Sequence, residues 1–163
     1  MFKVAVITLS DKGARGERED VSGQVLEDMM KEAGHEVVTR LLLSDDREGL
    51  EKELVRLCDG GLCDLILTTG GTGFSPRDQA PEATLNVIER ETPGLSEAMR
   101  LNSLSITPRA MLSRAVSGIR KQTLIVNLPG SPKAVREHLT YILPTLEHGV
   151  EIMTGRAGEC AGR

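Results

Sequence analysis

The chain has no tryptophan, one tyrosine and two phenylalanines in 163 residues. Single-stranded nucleic acid is held by basic grooves and by bases stacked on aromatic rings. Neither is on offer, since 24 acidic side chains outnumber 20 basic ones for a formal charge of −4. Nucleic acid is therefore not an expected partner, and an anionic ligand has to be held by local groups. Cysteine is scarce as well: Cys58, Cys63 and Cys160 cannot all pair and lack metal-knuckle spacing, which argues for reduced thiols and against a disulfide framework. No apolar run approaches the ~20 residues that span a bilayer, so no membrane partner is expected. The apolar start, Met1 to Ile7, is short and ends without a small-residue cleavage pattern. It reads as a first strand, and a cytoplasmic location follows as the expectation.

What is present suits one globular core: 39% hydrophobic residues in a length typical of one domain. Phe2 to Leu9 is rich in β-branched residues and predicts a strand. Val21, Val25, Leu26, Met29, Met30 and Ala33 recur at helical spacing and stop at Gly34. His35 to Leu43 predicts a second strand. Ser44-Asp45-Asp46 stands where a cap belongs, ahead of Leu50, Leu54, Val55 and Cys58, and Gly60-Gly61 ends that helix. Asp64 to Thr69 predicts a third strand, and Pro81 opens a helix carrying Ala83, Val87 and Ile88. Leu95 to Leu104 predicts a short helix, and Ala115 to Ile119 and Thr123 to Leu128 two strands. Ser131-Pro132 opens a last helix through Val135, Leu139, Ile142, Leu146 and Val150, which Pro144 is expected to kink. Alternating strands and helices predict a three-layer α/β/α domain with a mostly parallel sheet over residues 1–154, and the small, polar residues 155–163 predict a flexible tail.

In open parallel sheets ligands bind beyond the carboxyl ends of the strands. The polar residues that follow the strands form a repeating set: Asp11, Asp45, the run Gly70-Gly71-Thr72-Gly73 through to Asp78, and Asn127-Leu128-Pro129-Gly130-Ser131-Pro132. Singly, Asp11 is a turn residue, Asp45 and Asp78 are helix N-caps, and Ser131-Pro132 is a cap with a proline at the first helical position. Together they describe a polyphosphate site. Glycine turns and helix N-termini offer unpaired N–H donors to an anion. The aspartates would repel that anion unless a divalent cation, here Mg²⁺, sits between them. The run is not a P-loop, because no Gly-Lys-Ser/Thr follows, and Gly-Gly-Thr-Gly lacks dinucleotide-fingerprint spacing. His35, His138 and His148 are assigned to a strand start and a helix surface, not to catalysis.

These stretches, "TTGGTGFSPRDQAPEAT", "PGLSEAMR", "LSRAVSGIRKQTLIVNLPGSPKAV", "TLSDK" and "LLLSDDREGLEKEL", resemble the molybdopterin adenylyltransferases of the MogA/MoaB family, related to gephyrin and the plant Cnx molybdenum-cofactor domains. The resemblance implies an enzyme of molybdenum cofactor biosynthesis that uses Mg·ATP to adenylylate molybdopterin and releases pyrophosphate. It also implies a homotrimer and a hand-over of the product to a molybdenum insertase. By motif it assigns Asp45 and Asp78 as the essential carboxylates and metal ligands. Gly70, Gly71, Thr72 and Gly73 become the loop against the ligand, Asn127, Pro129, Gly130, Ser131 and Pro132 the second phosphate-facing turn, and Ser10, Asp11 and Glu97 further pocket residues. A molybdopterin-binding paralogue without turnover, a molybdate-inserting domain and a trimeric scaffold with a residual pocket are the alternatives.

Overall fold

The computed structural model describes residues 1–157. Along the chain run β1 (Lys3–Leu9), α1 (Asp11–Ala14), α2 (Val21–Glu32), β2 (Glu36–Leu43), α3 (Arg47–Asp59), β3 (Leu65–Thr69), α4 (Ala80–Val87), β4 (Arg90–Glu91) and α5 (Pro93–Leu104). A 3₁₀ turn (Pro108–Leu112), β5 (Ser117–Arg120), β6 (Thr123–Leu128) and α6 (Pro132–Met153) complete it. The six strands lie in the order β2-β1-β3-β6-β5-β4. The first four are parallel, and β5 runs antiparallel to both of its neighbours.

The period-two pattern of the central strands splits the core into two layers. Val4 and Val6 of β1, Leu65 and Leu67 of β3, and Leu124, Val126 and Leu128 of β6 face α2, α5 and α6. Ala5, Ile7, Ile66 and Ile125 face α3 and α4 on the other side. All five residues of β3 are buried. Fully burying one Leu, Ile or Val side chain contributes about 1.5–3 kcal/mol, so this central layer is the main hold on the fold.

Several expectations are corrected in detail. Asp11 is not in a loop but opens the one-turn helix α1, capped by Ser10. The cap of α3 is Asp46, whose carboxylate accepts from Gly49 N–H at 2.9 Å, and not Asp45. Gln79 stands at the start of α4 without a side-chain cap, so Asp78 is no cap either. Ser131 and Pro132 do open α6 as the pattern indicates. That helix continues as one element through Pro144, where the missing hydrogen bond falls on the carbonyl of the exposed Thr140. His138 is buried on α6, and not on its surface, with neither ring nitrogen hydrogen-bonded. His35 stacks on Phe2 and meets Glu147 at 2.7 Å. Arg156 pairs with Asp64 at 2.9 and 3.0 Å, and the remainder of the expected tail, residues 158–163 with Cys160, lies outside the described residues.

Candidate active site

The strand order places a topological switch between β1 and β3. The chain leaves β1 for β2 on one side and reaches β3 on the other, so the loops after β1 and β3 diverge and leave a crevice at the carboxyl edge. Into that crevice come Ser10 and Asp11 from the end of β1, Asp45 from the end of β2, and the glycine loop from the end of β3.

Glycine is required at two positions of that loop. Gly70 has φ +92°, and a Cβ there would lie 2.4 Å from the carbonyl oxygen of Leu9. Gly71 has φ +70°, and its Cβ would press on Ala80 at 3.2 Å. The turn thus packs onto the ends of β1 and α4 with no room for a side chain. Gly73 is glycine for a different reason: its Cβ would sit 2.9 Å from Asp78 Oδ2.

The carboxylates form one group. Asp11 N–H donates to Asp45 Oδ2 at 3.0 Å, and Asp45 N–H donates back to Asp11 Oδ1 at 2.9 Å. Arg77 forks onto Asp11 through Nε and Nη2 at 3.0 and 2.9 Å. The Arg77 fork first, and the Asp45 N–H second, hold the Asp11 carboxyl down at about 2. Asp45 is pushed the other way, above its ordinary value: burial raises it first, the Asp11 N–H pulls it back, and the charges of Asp11 and Asp78 add to the rise. Asp78 closes a turn, its Oδ2 accepting from Ser75 N–H at 3.0 Å while its own N–H donates to the Ser75 carbonyl at 2.9 Å.

Beside this group lies a cleft of about 480 Å³, lined among others by Ser10, Thr69, Gly70, Gly130, Ser131 and Pro132. It joins the glycine turn to the N-terminus of α6, where Ser131 Oγ accepts the Ala134 N–H and a helix start leaves further first-turn donors for an anion. Two hydroxyls brace this wall: Thr69 Oγ1 donates to the Pro129 carbonyl and Ser22 Oγ to the Gly130 carbonyl, both at 2.6 Å.

Not every residue named from the sequence lies on this surface. Asn127 is fully buried within β6; its Nδ2 donates to Thr68 and Thr84 at 3.0 Å each, and its Oδ1 accepts from Val116 N–H. It braces the sheet edge and has no group left for a phosphate. Thr72 is buried too. Glu97 is an exposed residue of α5, which packs on α6 and the 3₁₀ turn.

Two arginines that shape the site escape the sequence pattern. Arg77 adjoins Asp78 and reads there as part of the loop. Arg114 donates through Nε to the Gly73 carbonyl at 2.8 Å and through Nη2 to the Asp78 carbonyl at 2.7 Å, and pairs with Glu82. Its own N–H reaches the Thr72 carbonyl at 2.9 Å. One side chain from before β5 thereby ties both ends of the loop that presents Asp78. No local pattern marks it, because its partners lie more than thirty residues upstream.

Among the described residues no group of three or more His, Cys, Asp or Glu is arranged to hold a metal ion unaided. A divalent cation still fits here. Asp11 is taken by Arg77, whereas burial first, and then the Asp11 and Asp78 charges, raise the pKa of part-buried Asp45, so a cation beside it would be favoured. Mg²⁺ binds through one or two carboxylates plus substrate phosphates, not through an all-protein cage.

Fold and edge define the class: a doubly wound α/β protein whose candidate site lies at the switch point of its sheet. Residues 5–148 match the family model described as "Probable molybdopterin binding domain". A curated relative, the molybdopterin adenylyltransferase of Helicobacter pylori (strain J99), is 40% identical over 159 residues, covering 93% of this chain and 88% of that protein. Gephyrin of Dictyostelium discoideum is 40% identical over 162 residues, covering 94% of this chain and 23% of its own length. Among solved structures, the molybdopterin biosynthesis enzyme MoaB of Thermus thermophilus superposes with a TM-score of 0.90 at 48% identity, covering 95% of this chain and 98% of that one. The chain belongs to the molybdopterin-binding domain family of molybdenum cofactor biosynthesis, with the MogA/MoaB fold.

Proposed function

We propose that this chain is a molybdopterin adenylyltransferase, which moves the adenylyl group of ATP onto the terminal phosphate of molybdopterin and releases pyrophosphate. The observation that carries the reading is the reciprocal backbone hold of Asp11 and Asp45 at the edge where the Gly70-Gly71 turn and the start of α6 line a common cleft, with the Asp78 charge near enough to act on Asp45. The name of the Helicobacter pylori relative agrees with it.

The chemistry asks little acid–base work of the protein. The nucleophile is an oxygen of a phosphate monoester, whose second pKa of about 6 leaves it largely deprotonated near neutral pH. That oxygen forms a bond to the α-phosphorus of ATP, the bond to the bridging α,β oxygen breaks, and pyrophosphate leaves with the electron pair. No histidine is needed in this group. Catalysis reduces to positioning and charge neutralisation. Backbone N–H groups of the glycine turn and of the start of α6 receive phosphoryl oxygens, and Arg114 holds Asp78 in place through the loop carbonyls. Mg²⁺, brought with ATP and held by Asp45 and Asp78, would neutralise charge on the phosphates.

A homotrimer belongs to the same proposal. Leu101, Ile106, Met111 and Leu112, at least half exposed on α5 and the following turn, supply apolar surface of the kind that oligomers cover. A cytoplasmic site of action and hand-over of the product to a molybdenum insertase complete it; the free, buried Cys58 and Cys63 suit a reducing compartment. The test is pyrophosphate release from ATP on adding molybdopterin. Release at a catalytic rate is the expected result, and none, from a folded protein that binds molybdopterin, would instead support the inactive-paralogue or scaffold readings. Light scattering at micromolar concentration checks the trimer.

A further inference from the structure

Arg77 lies within the glycine-loop motif, but neither the motif nor the reaction gives it a role. It immediately precedes Asp78, its side chain is 59% exposed, and both arms of its fork are spent on Asp11. It is also the cation whose charge favours ionised Asp45. In the ligand-free protein Arg77 is therefore the positive charge forked onto Asp11 and set beside Asp45 and Asp46.

A solvent-exposed ion pair of this sort is weak and readily exchanged. A nucleotide triphosphate is a stronger partner for a guanidinium, because phosphate oxygens match its planar fork and carry more charge than one carboxylate. The exchange leaves no buried charge orphaned. Asp11 keeps the Asp45 N–H as a hydrogen-bond partner and is part-exposed, and Asp45 and Asp78 would hold the divalent cation that comes with ATP, whose charge would offset theirs.

We propose that Arg77 is the phosphate-reading residue of the nucleotide site, held in store on Asp11 until a nucleotide and its divalent cation displace it. Asp11 is then a positioning residue that aims Arg77 across the crevice and, through its backbone pair, aims Asp45. This rests on the reading of the site as an ATP site.

The test is calorimetric binding of Mg·ATP and of adenosine, without molybdopterin, so that no turnover intervenes. Arg77→Gln should weaken Mg·ATP binding about 10- to 100-fold, the effect of losing a charge-assisted bidentate contact, and leave adenosine, which has no phosphate, unchanged. Arg77→Lys should recover part of the loss, since it keeps the charge but not the fork. Asp11→Asn frees Arg77 and still accepts the Asp45 N–H, so it should bind Mg·ATP at least as tightly as the natural protein. Equal losses for ATP and adenosine would make Arg77 a loop staple and overturn the proposal, as would unchanged ATP binding by Arg77→Gln. Weaker Mg·ATP binding by Asp11→Asn would overturn the storage role. Failure of the natural protein to bind Mg·ATP at all would overturn the ATP reading itself, a result distinct from the others.

Discussion

Asp11 and Asp45 hold each other reciprocally: each carboxylate accepts the other's backbone N–H, at 3.0 and 2.9 Å, across the ends of β1 and β2. The relationship fixes where the Asp45 side chain stands before any ligand arrives. Asp11→Ala removes one half of it and releases Asp45, so kcat for adenylyl transfer should fall about tenfold or more, the penalty of a misplaced group. Asp11→Asn, which keeps an acceptor for the Asp45 N–H, should lose several-fold less. Steady-state kinetics on the two variants side by side decides it, and equal losses would detach Asp45 from this hold.

Asp78 separates structural from chemical roles in one substitution. Its carboxylate accepts from Ser75 N–H, a bond that the side-chain oxygen of asparagine also makes, so Asp78→Asn should melt within about 0.5 kcal/mol of the natural protein. Charge is all that is lost. Pyrophosphate release should nonetheless drop by about 10²-fold or more if the carboxylate acts on the phosphates through a divalent cation. Normal turnover with normal melting would reduce Asp78 to a turn residue.

The loop glycines should fail in two different ways. A Cβ at Gly70 meets backbone at 2.4 Å in a left-handed conformation, and backbone cannot step aside. Gly70→Ala should cost about 2 kcal/mol or more, seen as a drop in Tm of roughly 4–8 °C. At Gly73 the obstacle is the Asp78 carboxylate, which can swing away. Gly73→Ala should therefore melt almost normally but lose about tenfold or more in turnover as Asp78 is displaced. Thermal melts and kinetics on the pair check the contrast, and a large Tm loss at Gly73 would contradict it.

Asp45 carries a pH signature with a definite sign. Burial and the neighbouring carboxylates raise its pKa in the folded protein, so its ionisation opposes folding above that pKa, and the penalty fades as pH falls through it. Asp11 has the opposite sign: its pKa is lowered to about 2, so its contribution is present above the unfolded carboxylate range and lost only as pH falls toward 2. Asp45→Asn should consequently raise Tm by about 1–3 °C at pH 7 in ligand-free protein, and the gain should vanish toward pH 4. Its turnover should be lost together with that gain in stability. A Tm at pH 7 below that of the natural protein would show that the Asp45 charge is compensated before ligand binds.

Divalent cation should be obligatory. Two unneutralised carboxylates facing a triphosphate repel it, so excess chelator should bring pyrophosphate release to background, and added Mg²⁺ should restore it. Undiminished release in chelator would remove the metal from the mechanism.

Much of this was legible along the chain. Period-two apolar runs, 3.6-period stripes and the Gly34, Gly60 and Ser131-Pro132 boundaries are local signals, and local sterics and burial decide them, so strands β1, β2, β3 and β6 and the longer helices fall where the pattern puts them. Asp45, the glycine loop and Asp78 are named from the same alternation, because loops after parallel strands share an edge, and the parallel pairing of β2, β1 and β3 is what such an edge requires.

Tertiary structure alone decided the rest. Two-residue β4 is too short to show a period and exists because Arg90 and Glu91 find β5. Asp46 in extended backbone caps α3, and Asp45 is left to exchange hydrogen bonds with Asp11. Asn127, polar and next to a glycine turn, looked like a ligand, but its place in the middle of the sheet turned it inward to Thr68 and Thr84. Arg77 and Arg114 acquire their roles from partners 66 and 36 residues away. A carboxylate's neighbours in space set its charge state and its orientation. Composition and spacing therefore determined which residues reach the edge of this sheet, and packing across the switch point decided which of them remain free to meet a ligand.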